Sequence, residues 1–247
     1  MAYNKFRIDA GKVADHTIFI SKWLYDRYVG AGFSSSEHSI ILNGGDDRLW
    51  HSKPQREQHT GQLKLVTHHW SNHANKGFDI YRKLDDMLQS SYWSQLISFT
   101  YIGRLPDKFH FKTARYLEPL SGNALVEELQ QHDVYLTASQ HEAAGMHHIE
   151  GALCGLPLLY RESGGIPEYC NGFGISFTTE NFEQKLQEMK DTYECWVNRM
   201  EDYPYTAERM CDNYYTLFLK LLKRRDEIVK RRMWSRNPLW VARTLLL

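Results

Sequence analysis

From Leu63 onward, short apolar runs alternate with longer stretches whose apolar positions recur about every 3.6 residues. The runs LKLVTHH, LISFTYIG, DVYLTAS and LPLLY read as strands. Each is short, largely apolar and bounded by turn formers, as suits a strand buried on both faces. Between them, GFDIYRKLDDMLQSS places Phe78, Ile80, Tyr81, Leu84 and Leu88 near helical spacing. NALVEELQQH, capped by Ser121, GMHHIEGALC, stopped by Gly155 and Pro157, and NFEQKLQEMKDTYECWVNRM read as further helices. This alternation predicts an α/β fold, a Rossmann-like parallel sheet with helices on both faces.

The chain before Leu63 is patterned differently. TIFIS reads as a short buried strand, followed by a helix from an N-cap at Ser21 to a stop at Gly30 or Gly32. HSIILNGGDD reads as a second short strand closed by an Asn-Gly-Gly-Asp turn. Residues 51–62 are polar, carry a Pro and a Gly, and have no period, which suggests a linker. The expected segments are thus 1–50, a linker at 51–62, a sheet domain at 63–228 and a basic, aromatic segment at 229–247.

Composition narrows the function classes. The 247 residues allow one large domain, or one domain and part of another. Thirty basic and thirty acidic side chains cancel, which argues against a dedicated nucleic-acid binder. The four cysteines form no C-x-x-C pair and read as idle thiols in a reducing compartment. MAYNKFRIDAGK lacks the apolar centre of a signal peptide, and no run approaches the roughly 18 residues of a spanning helix. A cytoplasmic protein is expected. Charge is nevertheless uneven: residues 220–247 hold nine Lys or Arg and two acids. That segment reads as a solvated helix end, or as a peripheral contact with an anionic inner membrane face. Trp234, Trp240 and Leu245 to Leu247 would then be its apolar anchors.

Candidate chemistry concentrates in LTASQHEAAGMHHIEGALCGLPLLYRESGGIPEY, residues 136–169. DVYLTAS is a strand, so QHEAAG is the loop at its carboxyl end, where open α/β sheets bind ligands. The helix beginning near Gly145 turns its unpaired amides toward that crevice, a ready phosphate seat. Gly145 lets the backbone approach a bulky anion. Glu142 precedes the helix and Glu150 falls near its second turn, so the two carboxylates flank the seat. Carboxylates accept hydrogen bonds from sugar hydroxyls. A ribose and a second sugar joined by a diphosphate would fit, which describes a nucleotide sugar. Taken singly, Glu142 is an ordinary loop carboxylate, Glu150 a solvated helix residue and Lys76 an exposed loop lysine. His68, His69 and His73 include an H-x3-H spacing, and His147 and His148 are adjacent, but no cysteine or acidic ligand completes a metal site. Neither a metal nor a cofactor is expected.

With VTHHWSNHANKGFDIYRKLD, ADHTIFISKWL and IILNGGD, this stretch resembles the retaining GT-B glycosyltransferases of the family 4, group 1 type. The ordered motifs cover most of residues 14–180, and Glu142 and Glu150 match the family's E-x7-E motif. The resemblance implies that Glu142 contacts the donor sugar and Glu150 holds the ribose hydroxyls. It implies that Ala144, Gly145 and Met146 meet the diphosphate through their backbone, with His147 lining the pocket. Lys76 matches the basic residue that neutralises phosphate charge. Many members carry an Arg earlier in that loop; here HHWSNH stands there, and Ser71 or Asn72 is left to bond phosphate. YLEP, with Leu117 and Pro119, stands where members hold the base through backbone groups.

The implied activity is metal-independent hexosyl transfer, with retention, from a UDP- or GDP-linked sugar to a glycan or lipid-linked acceptor, as in polysaccharide biosynthesis. Residues 1–50 resemble only the tail of the family's N-terminal, acceptor-binding domain, and the basic end of the chain matches the helix that returns to it. The expectation is therefore a GT-B donor domain with the N-terminal domain largely missing. The alternatives are a catalytically incomplete nucleotide-sugar-binding module, or half of a split enzyme whose partner chain supplies the rest.

Overall fold

The computed structural model describes residues 2–34, 37–53, 61–232, 237–239 and 241–242. Along the chain run α1 (Ala2–Val13), β1 (Thr17–Phe19), α2 (Lys22–Gly30), β2 (His38–Ile40), β3 (Leu63–His69), α3 (Phe78–Met87), α4 (Ser91–Leu96), β4 (Ile97–Gly103) and β5 (Arg115–Leu117). Then follow α5 (Gly122–Leu129), β6 (Val134–Thr137), α6 (Met146–Leu153), β7 (Leu158–Arg161), α7 (Ile166–Cys170), β8 (Gly174–Phe177), α8 (Phe182–Val197), α9 (Ala207–Lys223) and α10 (Arg225–Arg231). Among the described residues no helix is long and apolar enough to cross a membrane.

Two compact units form. One contains residues 44–207; the other joins 1–43 to 208–247. This division differs from the expected segments, because residues 208–228 pack with the beginning of the chain rather than with the sheet. Residues 54–60 of the expected linker lie outside the described residues. So do Trp234, Trp240 and Leu245 to Leu247.

Strands β3 and β4 read as near-continuous apolar runs because each has a parallel strand on both sides and is buried on both faces. All six strands of the larger unit are parallel, in the order β5-β4-β3-β6-β7-β8. The chain starts at the centre, moves outward to β5, then returns to the opposite side of β3 with β6. The direction of strand addition therefore reverses between β3 and β6, the crevice that such sheets use for ligands.

Leu65, Phe99 and Leu136 of the sheet share one core with Ile80, Tyr81 and Leu84 of α3 and with Phe182, Leu186 and Met189 of α8. Ile149 and Ala152 of α6 are also fully buried. Asp85, on the core side of α3, accepts hydrogen bonds from the amides of Lys112, Thr113 and Ala114 and so fixes the loop before β5. Ser121 occupies the N-cap position of α5, but its hydroxyl makes no capping bond.

In the smaller unit β1 and β2 pair in parallel, and Ser21 caps α2 by accepting from the amide of Leu24. Phe19 is surrounded edge-on by Tyr25, Tyr28 and Phe33. From α10 and its end, Arg231 pairs with Glu37 and Arg232 with Asp15; Arg224, just before α10, also pairs with Glu37.

Candidate functional site

The site is built where β3 and β6 end. β3 closes with the polar residues Thr67, His68 and His69, all buried. Beyond it the chain makes a single 3-10 turn (Ala74–Lys76), and Gly77 starts α3 at φ 94°. A Cβ on Gly77 would fall 2.4 Å from Ala138 at the end of β6, so glycine is what lets the two loops meet. The amide of Gln140 donates to the carbonyl of Asn75 at 2.7 Å and ties them together.

Lys76 and Glu142 face each other across this junction. The ammonium donates to both carboxylate oxygens, at 2.8 and 2.9 Å, and each side chain is less than one-fifth exposed. Burial pushes the Glu142 carboxyl up, but the hydrogen bonds and charge of Lys76 outweigh it and hold the group below the usual carboxylate range. The backbone of Glu142 is clamped from β7's side. Its carbonyl accepts from the amide of Gly165 at 2.8 Å, and the amide of His141 donates to Ser163 Oγ at 3.0 Å. Gly164 (φ 69°) lies so close that a Cβ there would stand 2.3 Å from the Glu142 carbonyl oxygen.

Gly145 is the N-cap of α6, in extended conformation, and no side chain caps that end. The first amides of α6, from Met146 on, therefore have no partner inside the helix, and Ala144 and Gly145 stand directly before them. Glu150 lies one turn into α6. His68 Nε2 sits 2.8 Å from Glu150 Oε2, so the second carboxylate is tied to β3 as the first is tied to Lys76.

Beneath these groups lies a layer of buried imidazoles. His147 departs from the expectation that it lines the pocket. Its ring is buried, Nε2 meets Thr137 Oγ1 at 2.9 Å, and it packs 4.6 Å from the ring of His69. The first turn of α6 directs it inward, onto β6. His69 Nε2 is 2.8 Å from the hydroxyl of Tyr81. Burial pushes the basicity of His69 and His147 well below normal, and neighbouring histidines and Lys76 add to the effect. Burial lowers His148 to about 4, against its ordinary 6.5. Burial thus disfavours a charge on His69, His147 and His148, and the ammonium of Lys76 lies beside this layer.

Ser71 and Asn72 lie in the β3–α3 loop, where Ser71 Oγ accepts from the amide of His73. Leu117 ends β5 and Pro119 follows it. Both lie toward the carboxyl edge of the sheet, but β5 is two strands from β3, so they are not brought against the carboxylates. Sequence reasoning noted His68 only as a possible metal ligand and gave no role to Tyr135 of β6, whose hydroxyl lies 3.1 Å from His68 Nδ1. The available signal was the polar ending THH on an otherwise apolar central strand. Among the described residues no group of three or more His, Cys, Asp or Glu is arranged to hold a metal ion.

No protein-family model matches the chain, and no curated protein matches it. Solved structures do. TarM superposes with a TM-score of 0.69 at 14% identity, over 88% of this chain and 46% of its own. HepE from Anabaena, in complex with UDP, gives 0.67 at 15% identity, over 86% and 65%. WaaG, a glycosyltransferase involved in lipopolysaccharide biosynthesis, gives 0.61 at 17% identity, over 77% and 58%. The fold is the one these solved structures share, and the six-stranded sheet matches a GT-B Rossmann-like domain. The chain spans between 46% and 65% of the length of these three structures.

Proposed function

We propose that this chain binds a nucleotide sugar and forms the donor half of a retaining, family 4-type glycosyltransferase. The observation that carries the reading is the pairing of Lys76 with Glu142 beside the uncapped end of α6, at the strand-order reversal. A diphosphate seated on the α6 amides takes Lys76 as its counter-ion. Glu142 is then released to accept from hydroxyls of the donor sugar, while Glu150 accepts from the ribose. As the bond between the anomeric carbon and the phosphate oxygen breaks, negative charge grows on the departing nucleoside diphosphate. Lys76 and the helix amides stabilise that charge, and an acceptor hydroxyl forms the new glycosidic bond with the configuration kept, its proton passing to the departing phosphate oxygen. This chemistry calls on no metal ion. HepE has been solved with UDP and with UDP-glucose, which supports a uracil-linked donor; a GDP-sugar remains in the proposal. Ser71, Asn72, Leu117 and Pro119 are assigned to the phosphate and base, and a glycan or lipid-linked acceptor completes the reaction.

The test is a melting-temperature screen across UDP, GDP and their sugars, followed by an assay for released nucleoside diphosphate. At a hundredfold excess over its dissociation constant, the correct ligand stabilises the fold by about 2.7 kcal/mol. Absence of any shift overturns the reading. The partial coverage of the solved structures favours a second reading, a donor-binding module that transfers only with a partner chain or the remainder of the fold. Thermal protection without release selects it. Peripheral membrane contact through the basic segment is checked by liposome sedimentation with and without residues 220–247.

A further inference from the structure

Glu150 is held by an ordered set of groups whose members come from three elements. His68 Nε2 touches Glu150 Oε2 at 2.8 Å, and His68 Nδ1 lies 3.1 Å from the hydroxyl of Tyr135 on β6. That hydroxyl is fully buried, and it already accepts from the backbone amide of His68 at 3.1 Å. Its single proton has His68 Nδ1 within reach at 3.1 Å and the more distant carbonyl of His68 at 3.4 Å, with the Thr67 hydroxyl also beside it. The choice matters. With the Tyr135 O–H directed at Nδ1, Nδ1 is the acceptor, and the ring hydrogen on Nε2 is the one donated to Glu150. The opposite tautomer would turn a lone pair on Nε2 toward a carboxylate lone pair at 2.8 Å, which is repulsive.

Glycine makes room for this arrangement. A Cβ at Gly151, the residue after Glu150, would stand 2.3 Å from Tyr135 Cδ2 and 2.4 Å from Cγ. The ring of Tyr135 therefore sits directly against the α6 backbone, which places its hydroxyl under His68. The rings of His68 and Tyr135 meet edge to face, with centroids 5.6 Å apart.

We infer that Tyr135 and His68 are positioning residues that fix the orientation of Glu150 and so set the discrimination for a nucleotide bearing ribose hydroxyls. The inference rests on the donor-binding reading above. Tyr135 selects the tautomer of His68. His68 occupies Oε2 of Glu150 and stops rotation of the carboxylate, leaving Oε1 to accept from the vicinal hydroxyls. A carboxylate free to rotate must be ordered at the moment of binding, which weakens the contact. The layer acts only on a ligand that has those hydroxyls.

The experiment compares dissociation constants for UDP and GDP with those for their 2′,3′-dideoxy forms, using whichever base binds the unaltered protein more tightly. The unaltered protein is expected to favour the hydroxylated nucleotide by about fivefold or more. Tyr135→Phe should bring that ratio toward one by weakening the hydroxylated nucleotide alone. His68→Gln should do the same, and adding Tyr135→Phe to it should change the ratio no further. His68→Gln carries the same test by itself should Tyr135→Phe not fold. Binding of neither UDP nor GDP by the unaltered protein overturns the donor-site reading and this inference with it. A ratio that survives Tyr135→Phe, or an equal loss for both nucleotides, overturns the inference alone and leaves the donor site standing.

Discussion

Lys76 and Glu142 are each other's counter-charge in a partly buried place, so removing one leaves the other exposed to the full cost of burial. Lys76→Ala should lower stability by about 1–3 kcal/mol, between the values for surface and buried pairs. It should lower the rate of nucleoside diphosphate release by about a hundredfold or more, because the charge that grows on the leaving group loses its cation. Thermal melts and the release assay measure the two effects separately. A variant that melts lower but transfers at the normal rate would remove Lys76 from the chemistry. Acid should act on the imidazole layer. His148 is pushed to about 4 by burial, and His69 and His147 well below 6.5. Between about pH 4 and 6.5 the unfolded chain therefore binds more protons than the folded one. Stability is full above pH 6.5 and falls as pH drops through that window, by up to about 1.4 kcal/mol per unit for each histidine. Glu142, held below its usual range, adds a loss in the same direction at still lower pH. Melting curves at pH 7.5, 6 and 5 test this, and His148→Phe should flatten part of the slope.

The loops at the carboxyl ends of β3, β6 and β7 behave as one assembly because glycines allow them to touch. Gly164→Ala meets both a left-handed backbone and a carbonyl 2.3 Å away. The expected cost is about 1–3 kcal/mol, with a larger fall in donor affinity than in melting temperature, because the displaced atom is the carbonyl of Glu142. Calorimetric titration beside a melt separates the two effects. At this scale the sequence was partly transparent. LKLVTHH is β3 residue for residue, and Ile97 to Gly103 form the strand read from LISFTYIG. Such runs announce themselves because both faces are buried. β5 and β8 escaped notice: the first is a three-residue edge strand with an exposed start, and the second is four residues beginning with Gly. α9 escaped notice although its apolar positions recur at helical spacing; none of its residues is buried. The placement of Glu142 before α6 and of Glu150 within it was legible from their spacing around Gly145. Their partners were not, since Lys76 and His68 reach them only because β6 returns beside β3, and strand order is not written in any local pattern.

For the whole molecule, the smaller unit rests, among the described residues, on few buried groups. Ile8, Phe19 and Phe33 form its apolar cluster, and the ion pairs of Arg231 and Arg232 reach back to Glu37 and Asp15. Deleting residues 208–247 should leave residues 1–43 without lasting structure, while the six-stranded sheet persists. Amide hydrogen exchange reads this directly: protection should vanish in β1 and β2 and remain in β3, β4 and β6. The same layout bears on how the protein is made. Leu65 of the central strand finds its second neighbour only at Val134, and residues 1–43 find theirs only beyond residue 207. A ribosome releasing this chain must therefore expose the apolar edge of β3 through the synthesis of some seventy residues, and the first segment for longer still. Folding in the cell should therefore follow translation, and covering that nascent edge should raise the yield.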